Sequence, residues 1–138
     1  MKSPTVKARP FLNLNMDPNQ ITEQFTTHYY QLFGSGQRGN MASLYNAESS
    51  LAFEGEQFNG PQAIIQKLTT LQFQQVAIQI ITKDWLPGPG GCLCIMVNGS
   101  MMLPGQDNKL KFSQCFTLVS PQPGNFFIKN DIFRINIG

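Results

Sequence analysis

LAFEGEQFNGPQAIIQKLTTL, residues 51–71, holds a hairpin and the opening of a helix side by side. Apolar alternation in Ser50–Phe53 and Glu56–Asn59, on either side of Glu54-Gly55, predicts two short antiparallel strands. Gly60-Pro61 then breaks the pattern. Proline is tolerated at a first helical position, and Ile64, Ile65 and Leu68 recur at helical spacing behind it. The pair Phe53-Glu54 closes the first strand. A carboxylate beside an aromatic ring at a strand end suits a site that grips a basic, partly apolar protein partner.

Upstream, Asp17-Pro18-Asn19-Gln20 is a helix start, with Asp17 as cap and Gln20 at capping-box spacing. Ile21, Phe25, His28/Tyr29 and Leu32/Phe33 follow at helical intervals as far as Gly34-Ser35-Gly36. A short second helix is expected over about Asn40–Tyr45, burying Met41, Leu44 and Tyr45. Downstream the chain reads as strand: Gln74–Asp84, Cys92–Leu103, Lys109–Val119 and Phe126–Ile137, with turns at 87–91, 104–108 and 121–125. Helices followed by a meander of long strands is an α+β order. Strands of that length twist and curl. The expected architecture is a cone: a strongly curved, mostly antiparallel sheet wrapped around a long N-terminal helix, with two shorter helices and an open hydrophobic cavity.

The 138 residues suffice for one domain, placed at 17–138. Residues 1–16 read as a flexible extension or an expression-vector remnant, with Met16 an alternative start. Eleven Phe in a chain 41% hydrophobic and 13% charged exceed a single-layer core, so some should line a cavity or a subunit interface. The net charge of +2 is uneven: Lys2, Lys7 and Arg9 give the extension +3, leaving 2 − 3 = −1 for 17–138. A near-neutral domain without a basic stripe argues against nucleic acid. No apolar run approaches the length of a membrane span, and the N-terminus lacks a signal-peptide core. Cys92 and Cys94 share a strand face but are badly oriented for a disulfide. With Cys115 they are expected to be free, buried thiols in a reducing compartment; one histidine and no CxxC speak against zinc.

Candidates for chemistry are few. His28, among aromatics in HYYQLF, reads as a core histidine with no Ser/His/Asp or Cys/His arrangement around it. PGPGG (87–91) lacks the lysine and the following helix of a phosphate loop. Glu54 and Asp107 are acids at strand ends, and in a cone the first hairpin and the 104–108 turn can share one rim. Asp131, Phe133 and Ile135 fall on one strand face, Ile132 and Arg134 on the other. Mixed polarity on both faces points to a second subunit over the sheet. A buried Asp131 would need a partner, such as Arg134 of the twin chain or backbone amides.

HYYQLF (28–33), Leu44-Tyr45, FEG (53–55), QFNG (57–60), AIIQKL (63–68), LQFQQV (71–76), FSQCF (112–116) and NDIFR (130–134) together resemble the nuclear transport factor 2 family, in order and nearly ungapped from about 17 to 137. That family carries the GDP-bound small GTPase Ran into the nucleus. The resemblance implies a non-enzymatic homodimeric carrier with no catalytic residue, cofactor or metal, found in the cytoplasm, at the nuclear envelope and pore, and in the nucleus. It implies that Phe53, Glu54 and Asp107 bind Ran-GDP, an aromatic side chain of Ran entering the cavity and rim acids meeting basic residues. The turn holds one acid where many members have two, so weaker binding is expected. Phenylalanine-glycine repeats of pore proteins would contact the start of the first helix, at Pro18, where the family pattern has an aromatic, and Ile21, with Phe11 of the extension a substitute. The dimer would pair through the sheet near Asp131, Phe133 and Arg134. Two alternatives share the fold: a peptide-binding scaffold domain, and a small-molecule isomerase or dehydratase with an Asp or His base in the cavity. A chain that ends at Gly138 favours a free-standing carrier over the scaffold.

Overall fold

A computed structural model describes residues 17–122 and 125–136. Helix α1 (Pro18–Ser35) opens as its sequence dictates: the Asp17 carboxylate accepts from the Gln20 N–H at 2.8 Å and the Gln20 side chain accepts from the Asp17 N–H at 3.0 Å. Both bonds satisfy helix-end donors that would otherwise be orphaned. Gly36, left-handed at φ 83°, ends the helix. The next turn is a 3-10 helix, Arg38–Leu44, rather than the short helix expected at 40–45; it still buries Met41 and Leu44.

Six strands form one sheet in the order β2-β1-β6-β5-β4-β3. They are β1 (Tyr45–Phe53), β2 (Glu56–Asn59), β3 (Ala77–Pro87), β4 (Leu93–Met102), β5 (Leu110–Gln122) and β6 (Asn125–Asn136), with α2 (Pro61–Thr69) between β2 and β3. β1 runs parallel to β6; every other pair is antiparallel. The sheet curls around α1 without closing, so the expected α+β cone is the observed architecture. β1 begins well before Ser50. Asn46–Ser49 are locally bonded within it: the Asn46 N–H donates to Ser49 Oγ at 2.8 Å and the Glu48 N–H to Asn46 Oδ1 at 3.0 Å. The strand absorbs them as an irregularity in its pairing with β6. The middle of the 121–125 turn and residues 1–16 lie outside the described residues.

Inward residues of β4, β5 and β6 (Ile95, Val97, Phe112, Phe116, Leu118, Ile128, Phe133) pack on Phe25, Tyr29 and Phe33 of α1, all at most 2% exposed. Burying each such side chain contributes roughly 1.5–3 kcal/mol. Gly99 lets the layers approach: a Cβ there would stand 2.5 Å from the Gln79 carbonyl oxygen and 2.9 Å from the Phe112 ring.

Two expectations need correction. The thiols are free but not buried: the alternation that sends Leu93, Ile95 and Val97 inward sends Cys94 outward, and Cys115 alternates outward from β5 in the same way. His28 is half-buried at the edge of the α1 core face, and desolvation lowers its pKa.

Candidate functional site

The β1–β2 turn is the two-residue loop Glu54-Gly55, with φ of 52° and 92°. Positive φ at both positions is the hairpin geometry that matches strand twist. Gly55 adopts it freely; Glu54 does so at a cost of about 1–2 kcal/mol. This backbone aims the Glu54 carboxylate across to β6, where it accepts the Ile135 N–H, while the Glu54 N–H donates to the Phe133 carbonyl oxygen at 3.1 Å. The side chain is otherwise exposed.

Phe53, directly before it, is only 8% exposed. Its ring stacks on Phe133 with centroids 4.7 Å apart and planes 6° from parallel, and Phe133 stacks on Phe112 at 5.4 Å. The Lys67 ammonium lies 5.5 Å from the Phe53 centroid and 5.6 Å from that of Phe58, and bridges to Glu56 at 3.3 Å. Phe53 is therefore a rigid wall with a cation over it, not a free aromatic surface.

Beside this column opens a cleft of about 900 Å3, lined by Lys67, Leu71, Phe73, Met101, Leu110 and Ile135 among others. Glu54 reaches its wall through Ile135. The turn after β4 also borders the cleft; there the Gln106 N–H donates to the Leu103 carbonyl oxygen at 3.2 Å and Gly105 takes φ 75°. Gln106 lines the cleft, and Asp107 follows it, exposed. Neither predicted acid lines the cleft itself: Glu54 is bonded to the lining residue Ile135, and Asp107 is the chain neighbour of the lining residue Gln106. A second cleft of about 890 Å3 lies between α1 and β3 and shares Leu103, Pro104 and Gln106 with the first. Ionisable side chains among the described lining are Lys67, Lys83 and Tyr30. Arg38 braces the inner wall, its guanidinium 4.6 Å from the Phe33 centroid and 4.8 Å from that of Phe73, donating to the Phe73 carbonyl oxygen at 2.8 Å.

At the start of α1, Pro18 is exposed but Ile21 is 8% exposed and faces the core. The sole tryptophan arrives here from β3. A bulge between Ile80 and Thr82 reverses the strand's alternation beyond the outward-facing Ile81, turning Lys83 and Trp85 toward α1. Trp85 Nε1 donates to Asn19 Oδ1 at 3.3 Å, and Lys83 pairs with Glu23 at 2.7 Å. Sequence reasoning left Trp85 unassigned; the loss of alternation along ITKDW was the available signal.

Of the three residues expected near a dimer seam, Asp131 and Phe133 face the core at 1% and 2% exposure, and Arg134 faces outward with Ile132. Within its own chain, Asp131 is partnered by side chains rather than by backbone amides. Tyr45 and Tyr29 hydroxyls donate to its Oδ2 at 2.8 and 3.2 Å, and Gln114 Nε2 donates to Oδ1 at 2.8 Å. Burial pushes the Asp131 carboxyl up to about 6, against the downward pull of those three bonds. The outer sheet face exposes Ile81, Leu86, Met96 and Ile132, at 57, 71, 44 and 53%.

The family model for the nuclear transport factor 2 domain matches residues 21–135. Nuclear transport factor 2B of Arabidopsis thaliana is 43% identical over 122 residues, which is 88% of this chain and 96% of that protein. Nuclear transport factor 2 of Schizosaccharomyces pombe is 43% identical over 123 residues, 88% of this chain and 98% of its own. The fold is similar to the solved nuclear transport factor 2 of Cryptosporidium parvum, with a TM-score of 0.80 and 38% identity over 91% of this chain and 99% of that one.

Proposed function

The chain belongs to the nuclear transport factor 2 family, and from that premise we propose that it is a non-enzymatic import carrier that binds GDP-bound Ran at the cleft between Glu54 and Asp107. One observation carries this reading: a carboxylate held by a backbone bond to Ile135, a wall residue of a cleft that mixes apolar and polar side chains, in a turn conformation unfavourable for glutamate. Strain of that kind is retained where a side chain has work to do. An aromatic side chain of the partner fills the space among Leu71, Phe73 and Met101, and its basic residues meet Glu54 and Asp107 in partly desolvated pairs. Selectivity for the GDP form follows only if that state alone presents the aromatic and basic knob.

Contact with phenylalanine-glycine repeats is placed at the start of α1. Pro18 offers no aromatic ring, and Trp85, bonded to Asn19, supplies the aromatic surface beside it. Two copies pair through the outer sheet face, whose four large exposed apolar side chains are otherwise left to water. Capture of GDP-loaded Ran on the immobilised chain, compared with Glu54→Lys, tests the cleft. The variant should stay folded and retain no Ran; retention equal to the parent's removes Glu54 from the site.

A further inference from the structure

The three thiols of the chain converge on one patch of the outer sheet face. β4 turns Cys94 and Met96 outward and β5 turns Cys115 outward. The register sets Met96 opposite Cys115 and Cys94 opposite Thr117, so Cys94 and Cys115 are diagonal neighbours on one face. Cys92, just before β4, shares a side-chain hydrogen bond with Cys94. Both sulfurs lie over Gly88, where a Cβ would stand 2.6 Å from one and 3.2 Å from the other. A groove of about 160 Å3 beside them is lined on the outer face by Asp84, Leu86, Cys94, Met96 and Cys115. Leu86 and Met96 are two of the exposed apolar side chains on this face. Desolvation pushes the Cys92 and Cys115 thiols up, which favours their unreactive protonated forms. Cys94 and Cys115 both stand exposed at the groove, and Cys92 is half-buried.

We propose that Cys94 is a site of reversible thiolation that controls the pairing of two copies through this face, an inference that rests on the homodimer proposed above. The Cys94 thiolate attacks one sulfur of an oxidised low-molecular-weight thiol such as glutathione disulfide. That S–S bond breaks, one glutathione leaves as thiolate and takes up a proton, and the other remains on Cys94 as a mixed disulfide. The adduct brings carboxylates and an ammonium into a groove that pairing would desolvate. Burying those charges without partners is unfavourable, so the thiolated chain stays a monomer. Pairing in turn covers Cys94 and slows its modification. Reduction of the mixed disulfide by a thiol restores both partners.

The test treats the full chain with glutathione disulfide, maps the adduct by mass spectrometry and follows association by sedimentation velocity. The expected result is a mixed disulfide at Cys94, an unchanged circular dichroism spectrum, and a dimer dissociation constant raised about tenfold or more, reversed by dithiothreitol. Cys94→Ser should remain dimeric through the same treatment. The proposal is overturned if no adduct forms at Cys94, if the adduct pairs as tightly as the reduced chain, if it dissociates only by losing structure, or if Cys94→Ser dissociates like the parent. A reduced, untreated chain that is monomeric removes the homodimer reading itself, and the proposal with it.

Discussion

The carboxylate of Glu54, in the turn between the first two strands, accepts the backbone N–H of Ile135 on the last. Residues far apart in sequence are thereby joined beside the cleft that Ile135 lines, and the acid reaches solvent with its position fixed. Preorganisation of this kind lowers what a binding partner must pay in ordering a side chain.

Replacing Glu54 by glycine should separate function from fold. Glycine accepts φ 52° without strain, which offsets the loss of one exposed hydrogen bond of about 1 kcal/mol. The unfolding free energy should therefore stay within about 1 kcal/mol of the parent in urea titrations. Affinity for GDP-loaded Ran should fall by roughly 2–5 kcal/mol. A variant that loses stability and affinity together would mean the carboxylate holds the turn and not the partner.

Asp107 is exposed in the turn after β4, so its attraction for a basic partner is screened by salt. Asp107→Ala should weaken Ran-GDP binding by about tenfold at low ionic strength, and less at high. The plot of affinity against salt should flatten. A variant as salt-sensitive as the parent would show that the 104–108 turn plays no part.

Asp131 makes stability depend on pH. Its carboxyl is raised from 3.8 to about 6 by burial, so between those values the folded chain holds a proton that the unfolded chain has released. Its favourable contribution is full below 3.8 and lost as pH rises through about 6, a change of about 3 kcal/mol. Comparing urea unfolding of the parent and Asp131→Asn from pH 4 to 7 should show this slope in the parent and its loss in the variant. Parallel pH profiles would mean that the Tyr45, Tyr29 and Gln114 bonds hold the acid ionised across the range.

Ile132, 53% exposed on the outer sheet face, has no core role in its own chain. Ile132→Glu should leave melting behaviour intact while sedimentation shifts from dimer to monomer, because pairing would bury the new charge without a partner. A dimer undiminished by this change would place the seam elsewhere.

How much of this was legible beforehand follows from what local chemistry encodes. The Asp17-Pro18-Gln20 box, the Gly60-Pro61 break and strand alternation are short-range signals, and the helices and the long strands follow from them. The early start of β1 was not legible because Asn46 and Ser49 side chains bond to nearby backbone in the strand as they would in a turn. Cys94 and Cys115 misled because cysteine is more often buried than its small size requires, and only strand phase reveals that they face outward. Trp85 escaped because one bulge reversed the phase of β3. Glu54 stood out beside Phe53, but its bond to Ile135 and the burial of Phe53 against Phe133 depend on pairings across the sheet that neither segment specifies alone.

The most direct test of the account is titration calorimetry of the chain with Ran, loaded in turn with GDP and with a non-hydrolysable GTP analogue. The account predicts micromolar or tighter binding to the GDP form, none to the GTP form, and loss of the GDP-form signal in Glu54→Lys. Equal binding to both forms, or binding to neither, would contradict it.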